Sequence, residues 1–180
     1  ATYQQLETSF GKLDTIVHSI AFANREDLGG EYMKTDREGF TLALDISAYS
    51  LIPVVRYAAP LMTDGGSVIA MTFQPSERVF PGYNVMGTAK AALENAVRQL
   101  ASDVRPQGIR VNAISAGPLD TLSSRAISQY RDMKKVAAER SPMKRNITTD
   151  EVAKAALFLS SDLATGITGE ILERKSTRLT

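Results

Sequence analysis

Four short apolar runs, rich in β-branched residues and separated by helix-length stretches, constrain this chain more than any other feature. They cover residues 14–21 (DTIVHSIA), 66–73 (GSVIAMTF), 109–115 (IRVNAIS) and 169–172 (GEIL). Continuous apolar runs suit strands covered on both faces, as in a parallel sheet, and β-branching favours strand over helix. The intervening segments 36–60, 84–104, 123–140 and 149–160 are long enough for helices. Strand–helix alternation predicts an α/β fold, a Rossmann-like parallel sheet flanked by helices. At 180 residues and 43% hydrophobic content, one domain can bury a sizeable core.

Segment 84–104 carries the sharpest helical pattern. Ala89, Leu93, Ala96, Val97 and Leu100 recur at helical spacing, while Lys90, Glu94, Arg98 and Asp103 supply polar positions. One face is therefore expected to pack on the sheet. Around Asp150, TTDEVAKAALFLSSD places capping residues and early acids before an apolar stripe, the pattern of a helix start. The opening TYQQLETSFGKLD reads as the tail of a helix that feeds the first strand, with nothing glycine-rich ahead of it. In nucleotide-binding sheets the first strand-to-helix turn brings backbone amides to a pyrophosphate. The sheet is thus expected to be incomplete at its N-terminus, and the 180-residue form is expected not to bind a dinucleotide productively by itself.

Charge and composition narrow the chemistry. Twenty-one basic against 20 acidic residues give a net charge of +1, which offers no drive toward nucleic acid or an anionic membrane. Without cysteine, and with His18 as the single histidine, thiolate nucleophiles, disulfides and His/Cys metal clusters are excluded. The N-terminal stretch lacks the order of a secretory signal, and no apolar run approaches the roughly 20 residues that span a bilayer. A soluble, cytoplasmic protein is expected.

The segment FPGYNVMGTAKAALE carries the chemistry, because Tyr83 and Lys90 lie seven residues apart at a helix start. Seven steps of about 100° bring them nearly onto one face. There an ammonium can lower the tyrosine pKa and hold a ribose hydroxyl, while the phenol donates a hydrogen bond to a carbonyl gaining negative charge. Spacing alone is weak, but its context is ordered: a strand ending MTF, the loop QPSERVFPG, this helix, then RVNAISAGP leading into LDTLSSRAI.

With HSIAFAN, DISAYS, YNVMGTAKAALE, RVNAISAGP and DLATGITGE, the chain resembles the enoyl-acyl-carrier-protein reductases of bacterial fatty-acid synthesis, within the short-chain dehydrogenase/reductase superfamily, over residues 12–172. The resemblance implies an NADH-dependent reduction of an α,β-unsaturated acyl thioester carried on acyl carrier protein, and a homotetramer when full length. It implies that Tyr83 stabilises the enolate and Lys90 binds the nicotinamide ribose. It further places Ser19, Ile20, Leu119, Thr121, Leu122 and Ser123 at the cofactor, and Ala23 and Phe73 at the acyl substrate. Ile127 and Tyr130 are then expected on a helix covering the substrate, whereas His18 is read as structural.

Three departures stand out. The family's usual second tyrosine, ten residues before the first, is Phe73 here. Asp120 adds a negative charge after GPL, and a helix-capping role is expected for it. After GEIL, residues 173–180 (ERKSTRLT) read as an atypical, disordered tail, leaving 1–172 as the partial reductase domain. Two other readings remain open: a carbonyl reductase, whose usual Y-x3-K spacing meets Gly87 here, and an inactive module that only oligomerises.

Overall fold

The computed structural model describes residues 2–121, 124 and 130–173. Four parallel strands form one sheet in the order β1-β2-β3-β4: β1 Thr15–His18, β2 Gly66–Phe73, β3 Ile109–Ala116 and β4 Ile171–Glu173. The helices are α1 Thr2–Phe10, α2 Arg25–Leu28, α3 Arg37–Leu44, α4 Leu51–Ala58, α5 Asn84–Asp103, α6 Tyr130–Arg140 and α7 Thr149–Ser160.

The pleat sends successive strand residues to opposite faces, and the core divides accordingly. Val68, Ala70, Val111 and Ala113 meet Leu51, Val55 and Ala58 of α4 and Leu93 and Val97 of α5 on one face. Ile69, Ile114 and Ala116 meet Val152, Ala155 and Leu159 of α7 on the other. A Thr148–Glu151 capping box starts α7 as its sequence indicated.

Two sequence boundaries shift for identifiable reasons. The single helix expected over 36–60 is instead α3, a π-helical turn at Asp45–Tyr49, α4 and a 3-10 turn at Ala59–Leu61. Pro53 has no N–H to give the carbonyl four residues earlier, and its ring crowds that position, so the chain widens there; Pro60 ends α4 in the same way. The first strand stops at His18 rather than at Ala21. Beyond it the Phe22 amide donates to Ser47 Oγ at 2.9 Å, and that hydroxyl donates to the Phe22 carbonyl at 3.0 Å. Ser47, presented by the π-helical turn, thereby draws the chain away from β2.

The composite helix Arg37–Leu61 is long and apolar enough to cross a bilayer by length and composition, which the sequence reading did not expect. It carries Asp45 and Arg56, and it packs Ala48, Leu51, Val55 and Ala58 into the core against the sheet, as a core helix does. At the other end of the domain, Glu173 pairs with Ser115 as the last residue of β4 rather than starting a tail. Residues 174–180 lie outside the described residues.

The start of β2 depends on glycine. Gly66 has φ +151°, and a Cβ there would meet the Asp14 carbonyl oxygen at 2.5 Å. Beside it, a Cβ on Gly65 would meet the Gly108 carbonyl oxygen at 2.7 Å. Backbone thus packs directly on backbone at the amino ends of the strands.

Candidate active site

A cleft of about 450 Å³ opens at the carboxyl ends of β1, β2 and β3, where open α/β sheets bind their ligands. Ser19, Ala21, Phe22 and Ala23 after β1 form one wall. Phe73 closes β2, Tyr83, Met86 and Lys90 come from the start of α5, and Leu119, Thr121 and Ser124 follow β3.

Tyr83 is the N-cap residue of α5 and is almost fully buried. Its ring meets Phe73 edge-on with centroids 5.2 Å apart, and Phe73 also packs on Phe80 at 5.9 Å. Burial pushes the phenol well above its ordinary value, and nearby Tyr130 adds to the shift. The sequence had suggested that Lys90 would lower this pKa. The apolar surroundings win instead, so Tyr83 is held as a neutral hydrogen-bond donor.

Lys90 is also buried, and its ammonium donates to the Met71 carbonyl at 2.8 Å. Burial pulls its pKa down to about 8, with the Glu94 carboxylate opposing the fall. His18 is buried behind the wall, with Nε2 2.8 Å from Ser50 Oγ. Burial first, and then the charge of Lys90, lower the His18 pKa, which keeps the ring neutral.

The roof is tied down from the far side. The Tyr130 hydroxyl at the start of α6 donates to the Leu119 carbonyl at 2.5 Å. Ser124 Oγ donates to the Thr121 carbonyl at 2.7 Å and accepts from the Thr121 amide at 3.1 Å. Asp120 pairs with Lys134 of α6, while the amides of Leu122 and Ser123, which it was expected to cap, lie outside the described residues.

The cleft therefore gathers Tyr83, Lys90, Ser19, Ala23, Phe73, Leu119 and Thr121, all singled out in the sequence. Ile20 is not among its lining residues and is 46% exposed. Leu122, Ser123 and Ile127 lie outside the described residues. Sequence reasoning missed the carbonyl of Met71, Ser124, and the burial of Glu94, whose carboxylate accepts from Thr72 Oγ1 at 2.7 Å. A signal for Glu94 existed: it follows Lys90 by one helical turn.

Comparison with known proteins gives a consistent picture. A family model described as enoyl-(acyl carrier protein) reductase matches residues 1–174. The chain is 49% identical over 172 residues to the enoyl-[acyl-carrier-protein] reductase [NADH] FabI of Nostoc sp., covering 96% of this chain and 67% of that one. It is 50% identical over 168 residues to the [NADPH] FabI of Staphylococcus aureus, covering 93% and 66%. Among solved structures, the Bacillus cereus enoyl-acyl carrier protein reductase with NADP+ and indole naphthyridinone superposes with a TM-score of 0.95 at 46% identity. That match covers 97% of this chain and 68% of the other. The chain thus spans about two thirds of the length of the relatives it matches.

Proposed function

Because the chain belongs to the enoyl-(acyl carrier protein) reductase family, we propose that it serves the NADH-dependent reduction of the α,β double bond of an acyl thioester borne on acyl carrier protein. The observation that carries this reading is the joint burial of Tyr83 and Lys90 in one cleft at the strand ends.

The donor set of the cleft fits a nicotinamide nucleotide. The Lys90 ammonium commits one N–H to Met71 and keeps two for a ribose diol. Ser19 and Thr121 add hydroxyls, while Ala21, Leu119 and Met71 offer apolar surface for a flat ring. A reduced nicotinamide, when bound, supplies hydride to the β-carbon of the substrate. Leu122 and Ser123 are proposed on the same side, and Ile20 through its backbone, since its side chain is not part of the cleft lining.

Tyr83 acts on the substrate. As the β-carbon gains hydride, negative charge builds on the thioester oxygen, and a neutral phenol fixed by Phe73 donates a hydrogen bond to it without reorganisation. Ala23 leaves room for the acyl chain, and Phe73 gives that chain an apolar wall with no hydroxyl. The α-carbon then takes a proton to complete the saturated thioester. A homotetrameric assembly of the full-length protein is part of the same proposal.

Offering crotonyl and acetoacetyl thioesters of acyl carrier protein side by side with NADH tests the reading. In protein extended to the length of its relatives, NADH is expected to be consumed with the crotonyl substrate, and Tyr83→Phe to lower that rate by about 100-fold or more, as loss of one preorganised donor does. Reduction of the acetoacetyl substrate alone would overturn it.

A further inference from the structure

Lys90 is surrounded by protein that disfavours its charge, yet a carboxylate stands one helical turn away and does not take its hydrogen bond. Glu94 and Lys90 occupy the same buried stripe of α5, and each is 6% exposed. Residues four apart on a helix are neighbours. The two side chains nevertheless go to different, adjacent residues of β2: the ammonium donates to the Met71 carbonyl at 2.8 Å, and the carboxylate accepts from Thr72 Oγ1 at 2.7 Å. Thr72 is itself 4% exposed, so solvent cannot substitute for its hydroxyl.

We infer that Glu94 is a positioning residue, a counter-charge that Thr72 holds beside Lys90 so that the ammonium stays protonated and remains directed at the cleft. A direct ion pair would supply the same charge while occupying the N–H groups that a ligand needs. With Thr72 as its partner, the carboxylate acts through space in a low-dielectric interior, where opposite charges interact strongly. Removing it leaves burial unopposed, and the amine gives up its proton more readily.

The other ionisable groups around Lys90 cannot replace it. Tyr83 at the helix start and Tyr130 from α6 are held neutral, and His18 from β1 is driven neutral by burial and by Lys90 itself. β2 carries no charged residue. On the remaining elements packed against α5, Arg25, Glu26, Arg37, Glu38, Asp45, Arg56 and Arg105 are exposed, buried Asp27 accepts from Asn24 at 3.2 Å, and Arg110 donates to the Leu159 carbonyl at 2.7 Å.

The inference concerns the residue that the proposed reductase uses to hold its nucleotide, and it can be tested without nucleotide or substrate. In protein labelled with 13C at lysine Cε, the Lys90 resonance, assigned by its loss in Lys90→Met, is followed against pH. Glu94→Gln keeps an acceptor for Thr72 and removes only the charge. Its Lys90 midpoint is expected to fall by about one pH unit or more. Glu94→Asp keeps the charge but shortens the reach, and is expected to shift the midpoint less in the same direction. It also serves if the glutamine variant fails to fold. An unmoved midpoint in a folded variant overturns the inference whatever the activity of the protein proves to be.

Discussion

At the scale of single residues, Lys90 sets a measurable dependence of stability on pH. Its folded pKa of about 8 lies below the ordinary 10.5, so between those values the unfolded chain binds more protons than the folded one. Stability contributed through this group therefore rises with pH across that window. Below about pH 8 both states are protonated and the cost of burying the charge is fully present. Thermal melts of the unliganded chain from pH 7.5 to 10.5 are expected to show an upward component that Lys90→Met abolishes. Equal slopes in the two proteins would contradict this assignment. Tyr83 lies on the other side of the same balance. Burial keeps it a donor, a property that spacing in the sequence could not reveal, because spacing reports faces and not polarity.

Among the elements, α5 couples the site to the core, and Gly87 sets how closely it approaches the turn after β2. A Cβ at Gly87 would meet the Pro75 carbonyl oxygen at 2.8 Å, closer than real contacts allow, and the obstacle is backbone. Gly87→Ala is expected to destabilise the fold by about 1–3 kcal/mol despite the better helix propensity of alanine, as urea unfolding would measure. It is also expected to displace Tyr83, four residues earlier, and so to weaken any ligand contact there. Alanine stability equal to that of the parent would show that the turn yields. Strand and helix identities were legible along the chain because β2 and β3 are continuous apolar runs and α5 and α7 carry a helical apolar stripe. The form of the break between α3 and α4 was not, since Pro53 signals an interruption without saying that a π-helical turn absorbs it. Nor was the inward path of Glu94, because a charged residue on a helix reads as solvent-facing until its partner on another strand is known.

Across the whole molecule, the sheet is uneven in its protection. β1 pairs only with β2 among the described residues, and its Val17 is 54% exposed. Unpaired strand edges next to apolar surface recruit other chains. By light scattering, the 180-residue chain is expected to gain mass with concentration beyond any closed assembly, and Val17→Lys to suppress that growth. A sharp mass independent of concentration in both proteins would show that this edge is inert. The two ends of the sheet also differ in what they tolerate. Where Gly65 and Gly66 press against Gly108 and Asp14, side chains have almost no say, so that end behaves as a fixed seam. Side-chain exchange is easier at the opposite rim, and under the proposed function replacing Ala23 or Phe73 is expected to alter acyl preference without unpicking the seam.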